Sequence, residues 1–123
     1  IGLNIRLEDK QANNAYLTDY FTFDHFFVRK VMLAFSSEVY VYFPGGFGTL
    51  DEFTEILTLV QTKKIKPVPI VLYGSEFWNP FVELFRNHLL GKYATISEED
   101  LALFVVVDSV EEAAAYIKKT VVC

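Results

Sequence analysis

A glycine-rich stretch, PGGFGT, combines residue types and spacing that suit chemistry. It contains Gly45, Gly46 and Gly48, and Thr49 closes it. Glycines allow positive φ and let a ligand approach the backbone closely. We expect a helix to begin near Thr49 or Leu50, so that its free N–H groups and the positive end of its dipole point into the loop. The stretch therefore predicts an anion site, with a phosphate as the best-fitting ligand.

The main alternative for this stretch is a tight strand-to-helix turn that needs glycine only for its backbone. The spacing differs from the dinucleotide-binding G-x-G-x-x-G pattern, and no lysine follows Gly48 and Thr49 as it does in a P-loop. Three glycines together with a threonine favour the phosphate interpretation over the simple turn.

Two carboxylates, Asp51 and Glu52, follow the glycines, and we expect both in the first turn of the helix. One interpretation is that they complement the helix dipole, which stabilises a helix by about 0.3–1 kcal/mol per charge. The other is that a carboxylate faces the sugar or base of the ligand, because beside the phosphate itself the two anions would repel each other.

A basic pair, Arg29 and Lys30, interrupts the apolar segment FDHFFVRKVMLAF. Adjacent helical residues point about 100° apart, so the two cations cannot share one solvent-facing stripe. Arg29 has the planar guanidinium that holds a phosphate or a carboxylate with two hydrogen bonds. The sequence therefore predicts that one of the pair reaches a cleft; the alternative is two exposed cations at a helix edge.

The elements that must position these residues alternate between strands and helices. Strands are predicted over residues 1–5, 39–43, 68–73 and 103–107, and helices over residues 23–35, 50–62, 80–90 and 110–119. Residues 6–20 read as a long polar connection. Continuous apolar strands alternating with helices indicate the α/β class, here a Rossmann-like three-layer sandwich with a parallel sheet.

Helix boundaries follow from capping residues. Asn79 and Pro80 suit the N-cap and first position of the third helix, with Gly91 beyond its end, and Ser109 suits the N-cap of the last one. On the second helix, Leu50, Phe53, Leu57 and Val60 or Ile56 are spaced for one buried face.

Composition excludes several classes of protein. The 123 residues are a single-domain length, and a formal net charge of −5 argues against general nucleic-acid binding. No apolar run approaches the roughly 18 residues that a membrane helix needs. The single cysteine, Cys123, offers neither an internal disulfide nor a metal cluster, which favours a reducing cytoplasmic setting.

The quoted residues resemble one known family. PGGFGTLDE looks like the P-G-G-x-G-T-x-x-E signature of the Lonely Guy (LOG) family of nucleoside 5′-monophosphate phosphoribohydrolases, which are often labelled lysine decarboxylases. FFVRKVML resembles the family's R-K helix, and GLNI, TDY, KPVPIVLYG and DLALFVVVDSVEEA resemble its flanking segments in order. The resemblance covers essentially the whole chain.

The resemblance implies a role for each candidate residue. Gly45, Gly46, Gly48 and Thr49 would bind the 5′-phosphate of a nucleotide such as AMP or a cytokinin riboside monophosphate. Arg29 and Glu52 would be the catalytic pair that cuts the N-glycosidic bond, with Lys30 and Asp51 in support. The family's reaction requires no cofactor and no metal, and its members form homodimers, for which the aromatic-rich helix over residues 23–35 would supply the interface.

The family's usual N-terminal β-α-β portion, with its own glycine-rich loop, has no counterpart in this sequence. With only four strands predicted, we expect one LOG-like domain over residues 1–123 that is truncated at its N-terminus. Two functions therefore stay open: hydrolysis of purine nucleoside monophosphates, and a non-catalytic nucleotide- or phosphate-binding module. A lysine decarboxylase is not expected, because nothing resembles a pyridoxal-phosphate lysine site.

Overall fold

The computed structural model of the chain describes residues 2–5, 20–23 and 37–120. The chain divides into two compact units, Ile1–Ser37 and Glu38–Cys123. The candidate phosphate loop belongs to the second unit. Of the helix predicted over residues 23–35, residues 24–35 lie outside the described residues.

Two short strands form a parallel pair in the first unit. Strand β1 spans Gly2–Ile5 and strand β2 spans Tyr20–Phe23, with Gly2 opposite Tyr20 and Ile5 opposite Phe23. The expected first strand is confirmed. The expectation for β2 was wrong, since its first residue was assigned to a polar connection and its last to a helix. Aromatic and β-branched residues favour a strand at this position.

A three-stranded parallel sheet forms the second unit's centre. Strands β3 (Tyr40–Tyr42), β4 (Ile70–Tyr73) and β5 (Val105–Val107) lie in the order β3-β4-β5. The residues at 70–72 are 0% exposed, which explains why β4 reads as an unbroken apolar run. All three strands fall inside the predicted ranges.

Helix α1 (Phe47–Gln61) connects β3 to β4, and helix α2 (Ser75–Leu84), a π-helical segment (Phe85–Lys92) and a 3₁₀ turn (Glu99–Ala102) lie between β4 and β5. Helix α3 (Val110–Thr120) follows β5. Parallel strands with helical crossovers make this an α/β, Rossmann-like arrangement. Among the described residues, no helix has both the length and the apolar character needed to cross a bilayer.

The start of α2 differs from the sequence-based expectation. The helix begins at Ser75, so Asn79 and Pro80 lie inside it and not at its first positions, and Gly91 lies within the π-helical segment. The N–H of Ser75 donates to Asp108 Oδ1 at 2.8 Å, which satisfies one of the N–H groups that a helix start leaves free. A residue 33 positions away therefore caps this helix.

The last helix begins as expected. The N–H of Glu112 donates to Ser109 Oγ at 3.1 Å, and the N–H of Asp108 donates to Glu112 Oε2 at 2.9 Å. This reciprocal arrangement resembles a capping box, and it confirms Ser109 as the N-cap of α3.

Aromatic rings form much of the second unit's core around Phe53 of α1. Its ring centroid lies 5.5 Å from that of Tyr42, 5.2 Å from Trp78 and 5.7 Å from Phe104, all edge-to-face. The buried face of α1 consists of Phe53, Ile56 and Val60. Two other members of the predicted face, Leu50 and Leu57, are only half-buried.

Candidate functional site

The glycine-rich stretch lies where strand β3 leads into helix α1. In an open α/β sheet, ligands bind outside the carboxyl ends of the strands, and this loop occupies such a position. Helix α1 begins at Phe47 with Gly46 as its N-cap, which is earlier than expected. Gly48 and Thr49 therefore belong to the first turn of the helix, and only Gly45 and Gly46 remain in the loop.

Gly45, Gly46 and Gly48 do not have positive φ angles. Among the described glycines, only Gly74 has a positive φ, at 103°. At Gly45, an added Cβ would collide with the side chain of Thr49, so the threonine packs against the glycine. At Gly46 and Gly48, an added Cβ would meet no atom of the described residues within 4 Å, apart from the adjoining backbone. Within the described part of the chain, neither packing nor a positive φ requires glycine at those two positions, and no described side chain fills the space above them.

The start of α1 provides hydrogen-bond donors beside this open space. The N–H of Leu50 donates to the Gly46 carbonyl oxygen at 3.2 Å, and it is the first N–H with a partner four residues back. The N–H groups of Phe47, Gly48 and Thr49 precede it and have no such carbonyl inside the helix. Gly46 has no side chain with which to cap them. Free N–H groups at the positive end of the dipole bind anions.

Asp51 and Glu52 lie in the second turn of α1, not in its first turn, which contains no acidic residue. The dipole effect falls off within the first turn, so dipole stabilisation explains these two carboxylates poorly. Gly48 and Glu52 are four residues apart and share a face of the helix, about 6 Å apart along its axis. Helical side chains lean toward the N-terminus, which directs Glu52 over the turn that Gly48 leaves open.

A third carboxylate joins this pair. Ligand oxygens of Asp51, Glu52 and Glu55 all lie within 4.8 Å of one another, with Asp51 exposed and the other two half-buried. The spacing i, i+3 and i+4 brings such residues together on one helix face, so the sequence already contained this signal for Glu55. The first turn of α1 therefore presents N–H groups, and the next turns carry three neighbouring carboxylates.

Tyr42 reaches the same helix turn from β3. Its hydroxyl donates to the backbone carbonyl oxygen of Glu52 at 3.3 Å. Burial raises the pKa of the Tyr42 hydroxyl above its ordinary value, and Tyr40, Glu52 and Glu55 raise it further. Tyr42 could not be predicted as part of this site, because a tyrosine in an apolar strand gives no sign of which helix turn it will contact.

A second loop adjoins the glycine stretch. A Cβ at Gly74 would lie 3.3 Å from Pro44 Cγ, so the ends of β3 and β4 approach closely. The positive φ of Gly74 disfavours other residues there. The loop that precedes α2 and the loop that precedes α1 are thus packed together at one edge of the sheet.

A cavity of about 160 Å³ lies on another face of α1. Its lining is mainly apolar, with Thr54, Thr58, Gln61 and Asp100 as polar members. The hydroxyls of Thr54 and Thr58 donate to carbonyl oxygens of their own helix. None of the candidate phosphate or carboxylate residues lines this cavity, so it is separate from the candidate site.

The structure brings together six of the eight candidate residues: Gly45, Gly46, Gly48, Thr49, Asp51 and Glu52 lie within one loop and the first two turns of α1. Arg29 and Lys30 lie outside the described residues, and their predicted roles stay predictions.

The fold and the candidate site define a class of protein. It is an α/β protein in which a glycine-rich loop leads into a helix that carries carboxylates. The family model described as "Possible lysine decarboxylase" matches residues 1–117. The chain therefore belongs to this family, the LOG family that the quoted motifs resemble. No curated protein matched the chain significantly in the comparison.

Proposed function

We propose that the protein hydrolyses the N-glycosidic bond of purine nucleoside 5′-monophosphates, AMP or a cytokinin riboside monophosphate, to give free base and ribose 5-phosphate. Membership of the LOG family supports a reaction of this kind. The observation that carries most weight is that no described side chain fills the space above Gly46 and Gly48, beside first-turn N–H groups that have no carbonyl partner within α1.

The proposed binding mode follows from the polarity of α1. The 5′-phosphate accepts hydrogen bonds from the first-turn N–H groups, with the Thr49 hydroxyl as a further donor. Glu52 lies about one helical turn further along the same face, a separation of about 6 Å that is comparable with the span of a ribose. The carboxylate then faces the sugar and not the phosphate.

The proposed chemistry uses that carboxylate. Cleavage of an N-glycosidic bond passes through an oxocarbenium-like state, whose positive charge an ionised Glu52 stabilises. Water adds to the anomeric carbon, and its proton leaves with the base. Arg29, the second member of the proposed catalytic pair, would hold the phosphate or orient Glu52. Lys30 and Asp51 are proposed as supporting charges.

Incubation with AMP and detection of adenine by chromatography test the proposal. We expect Glu52→Gln to lower base release at least about a hundredfold, to a residual rate, while nucleotide binding, measured by calorimetry, stays within a few-fold of the wild-type value. The amide keeps the shape of the side chain but cannot stabilise positive charge.

Asp51→Asn is the matched control, since it removes a neighbouring carboxylate from the same turn. We expect it to retain most of the turnover. Equal turnover in the Glu52→Gln variant and the wild-type protein would reject the role of Glu52, and absence of base release from every purine monophosphate would reject the function.

The second candidate is a non-catalytic nucleotide-binding module. The observation in its favour is that the anion-binding features lie within one loop and one helix, so they need no catalytic partner to bind a phosphate. Tight nucleotide binding in calorimetry without any release of base would support this alternative over hydrolysis.

The proposal includes a homodimer, which the family resemblance implies. Phe43, which precedes the glycine stretch, is 59% exposed, which is unusual for phenylalanine and suits contact with another chain. We expect sedimentation velocity to show a dimer at micromolar concentration. A monomer throughout the concentration range would remove this part of the proposal.

A further inference from the structure

We propose that Tyr42 is a positioning residue that fixes the helix turn of Glu52 relative to the phosphate loop. The inference rests on the proposed function, because it concerns the geometry between the phosphate and the carboxylate. Tyr42 is the last residue of β3, and its hydroxyl bonds to the backbone carbonyl oxygen of Glu52, ten residues later. This bond spans the loop from one side to the other.

The loop needs such a constraint because of its composition. Four residues, 43–46, separate β3 from α1, and two of them are glycines. Glycine loses more conformational freedom on folding than any other residue, so a glycine-rich connection holds its two ends together weakly. A side chain that bonds directly from the strand to the helix fixes this distance without involving the loop backbone.

Packing fixes the direction of the Tyr42 side chain. Its ring meets Phe53 edge-to-face, with centroids 5.5 Å apart and an interplanar angle of 62°. On its own strand it stacks with Tyr40, with centroids 6.3 Å apart and an interplanar angle of 5°. Phe53 follows Glu52 in the chain, so the ring and the hydroxyl contact two consecutive residues of α1. The helix is thereby restrained in both position and rotation.

The hydroxyl also keeps its proton. Its pKa is raised, first by burial and then by Tyr40, Glu52 and Glu55, so it remains a donor throughout the range in which the enzyme would work. A reacting group displaced by about 1 Å can lower a rate about a hundredfold, and a partial loosening of this turn has a smaller effect of the same kind.

The test compares Tyr42→Phe with the wild-type protein in AMP hydrolysis. The variant keeps the ring and removes only the hydroxyl. We expect kcat to fall about threefold to tenfold, as for the loss of one neutral hydrogen bond, while KM for AMP stays within about twofold. Tyr73→Phe in the neighbouring strand is the matched control, and we expect it to leave both constants unchanged.

A double-mutant cycle separates positioning from general stabilisation. If Tyr42 acts through Glu52, then Tyr42→Phe has no further effect on the residual turnover of Glu52→Gln, measured in long incubations with labelled AMP. A merely structural role would lower the residual turnover by the same factor as in the wild-type background. The inference would be overturned if Tyr42→Phe lowered turnover by the same factor in the wild-type and Glu52→Gln backgrounds. It would also be overturned if kcat were unchanged in Tyr42→Phe alone.

Amide hydrogen exchange makes the inference testable apart from catalysis. We expect Tyr42→Phe to accelerate exchange at Ile56, whose N–H bonds to the same carbonyl in the regular helix pattern, relative to the end of α1. If wild-type protein releases no base, the proposed function and the catalytic consequence of Tyr42 both fail. Unchanged exchange at Ile56 with active wild-type protein contradicts the inference alone.

Discussion

At Gly48, an added methyl group would meet no described residue within 4 Å beyond the backbone of its own helix, and the position lies inside that helix. Glycine in a helix costs about 1 kcal/mol relative to alanine. We expect Gly48→Ala to leave the free energy of unfolding unchanged or raise it by up to about 1 kcal/mol, and to weaken nucleotide binding by at least tenfold. Urea unfolding and calorimetry measure the two quantities.

Gly45→Ala is the contrasting variant. Its new Cβ would collide with the side chain of Thr49, so we expect it to lower the free energy of unfolding, by about 1–3 kcal/mol as for an overpacked site. Undiminished nucleotide binding in Gly48→Ala would show that the space above the helix start is not where the phosphate binds.

Single residues were predictable where their function depends on local spacing. The glycines, Thr49 and Glu52 follow one another in the chain, so a motif contains them. The contacts of Tyr42 depend on how a strand and a helix pack, which no local pattern contains. The sequence suggested both positive φ and a close approach of a ligand for the glycines; none of the three has a positive φ, and no described residue fills the space at Gly46 and Gly48. Only the folded neighbours distinguish these two uses of glycine.

Between elements, the contact from Asp108 to the start of α2 has a consequence for acid stability. The Ser75 backbone N–H lowers the pKa of the Asp108 carboxyl below its usual 3.8. Since the folded-state pKa is the lower one, the stabilisation is present above the unfolded-state pKa and is lost as the pH falls through the folded-state value. We expect Asp108→Asn to reduce the difference between the free energies of unfolding at pH about 7 and about 3.

Ser109→Ala is the control for this prediction. It removes the N-cap of α3, which costs about 1 kcal/mol, but a hydroxyl does not titrate in this range. Ser109→Ala should therefore lower the free energy of unfolding, measured with urea, by a similar amount at both pH values. An equal pH dependence in Asp108→Asn and wild-type protein would contradict the role given to the carboxylate.

The same contact explains which helix boundaries the sequence could predict. Ser109 caps α3 from the adjacent position, so its motif is local and the expectation was confirmed. The cap of α2 comes from Asp108, which follows β5 and is distant in the sequence, and Asn-Pro in the middle of the helix looked like a better start than Ser75. Strands, by contrast, were found in the longer apolar runs, and β2 (YFTF) was missed because its first residue was assigned to the preceding polar connection and its last to the following helix.

For the second unit as a whole, the aromatic cluster around Phe53 is the main packing feature. Phe53 is 0% exposed and contacts rings from β3, α2 and the segment before β5. We expect Phe53→Ala to lower the free energy of unfolding by about 3–5 kcal/mol, because it leaves a cavity where these elements meet. That is a large part of the total stability of about 5–15 kcal/mol of a typical domain. Far-ultraviolet circular dichroism in urea measures the loss.

Phe47→Ala is the matched control. The ring is 91% exposed, so we expect a change within about 0.5 kcal/mol. A loss for Phe47→Ala as large as for Phe53→Ala would mean that Phe47 is buried against another chain in solution.

Trp78 is the only tryptophan in the chain, and its indole is fully buried against Phe53, the residue that follows Glu52. The protein therefore contains an intrinsic optical reporter one side chain away from the candidate carboxylate. Because its emission originates at a single place, a nucleotide titration followed by fluorescence needs neither a dye nor a label. Any change in intensity or wavelength reports on the helix that begins at the glycines.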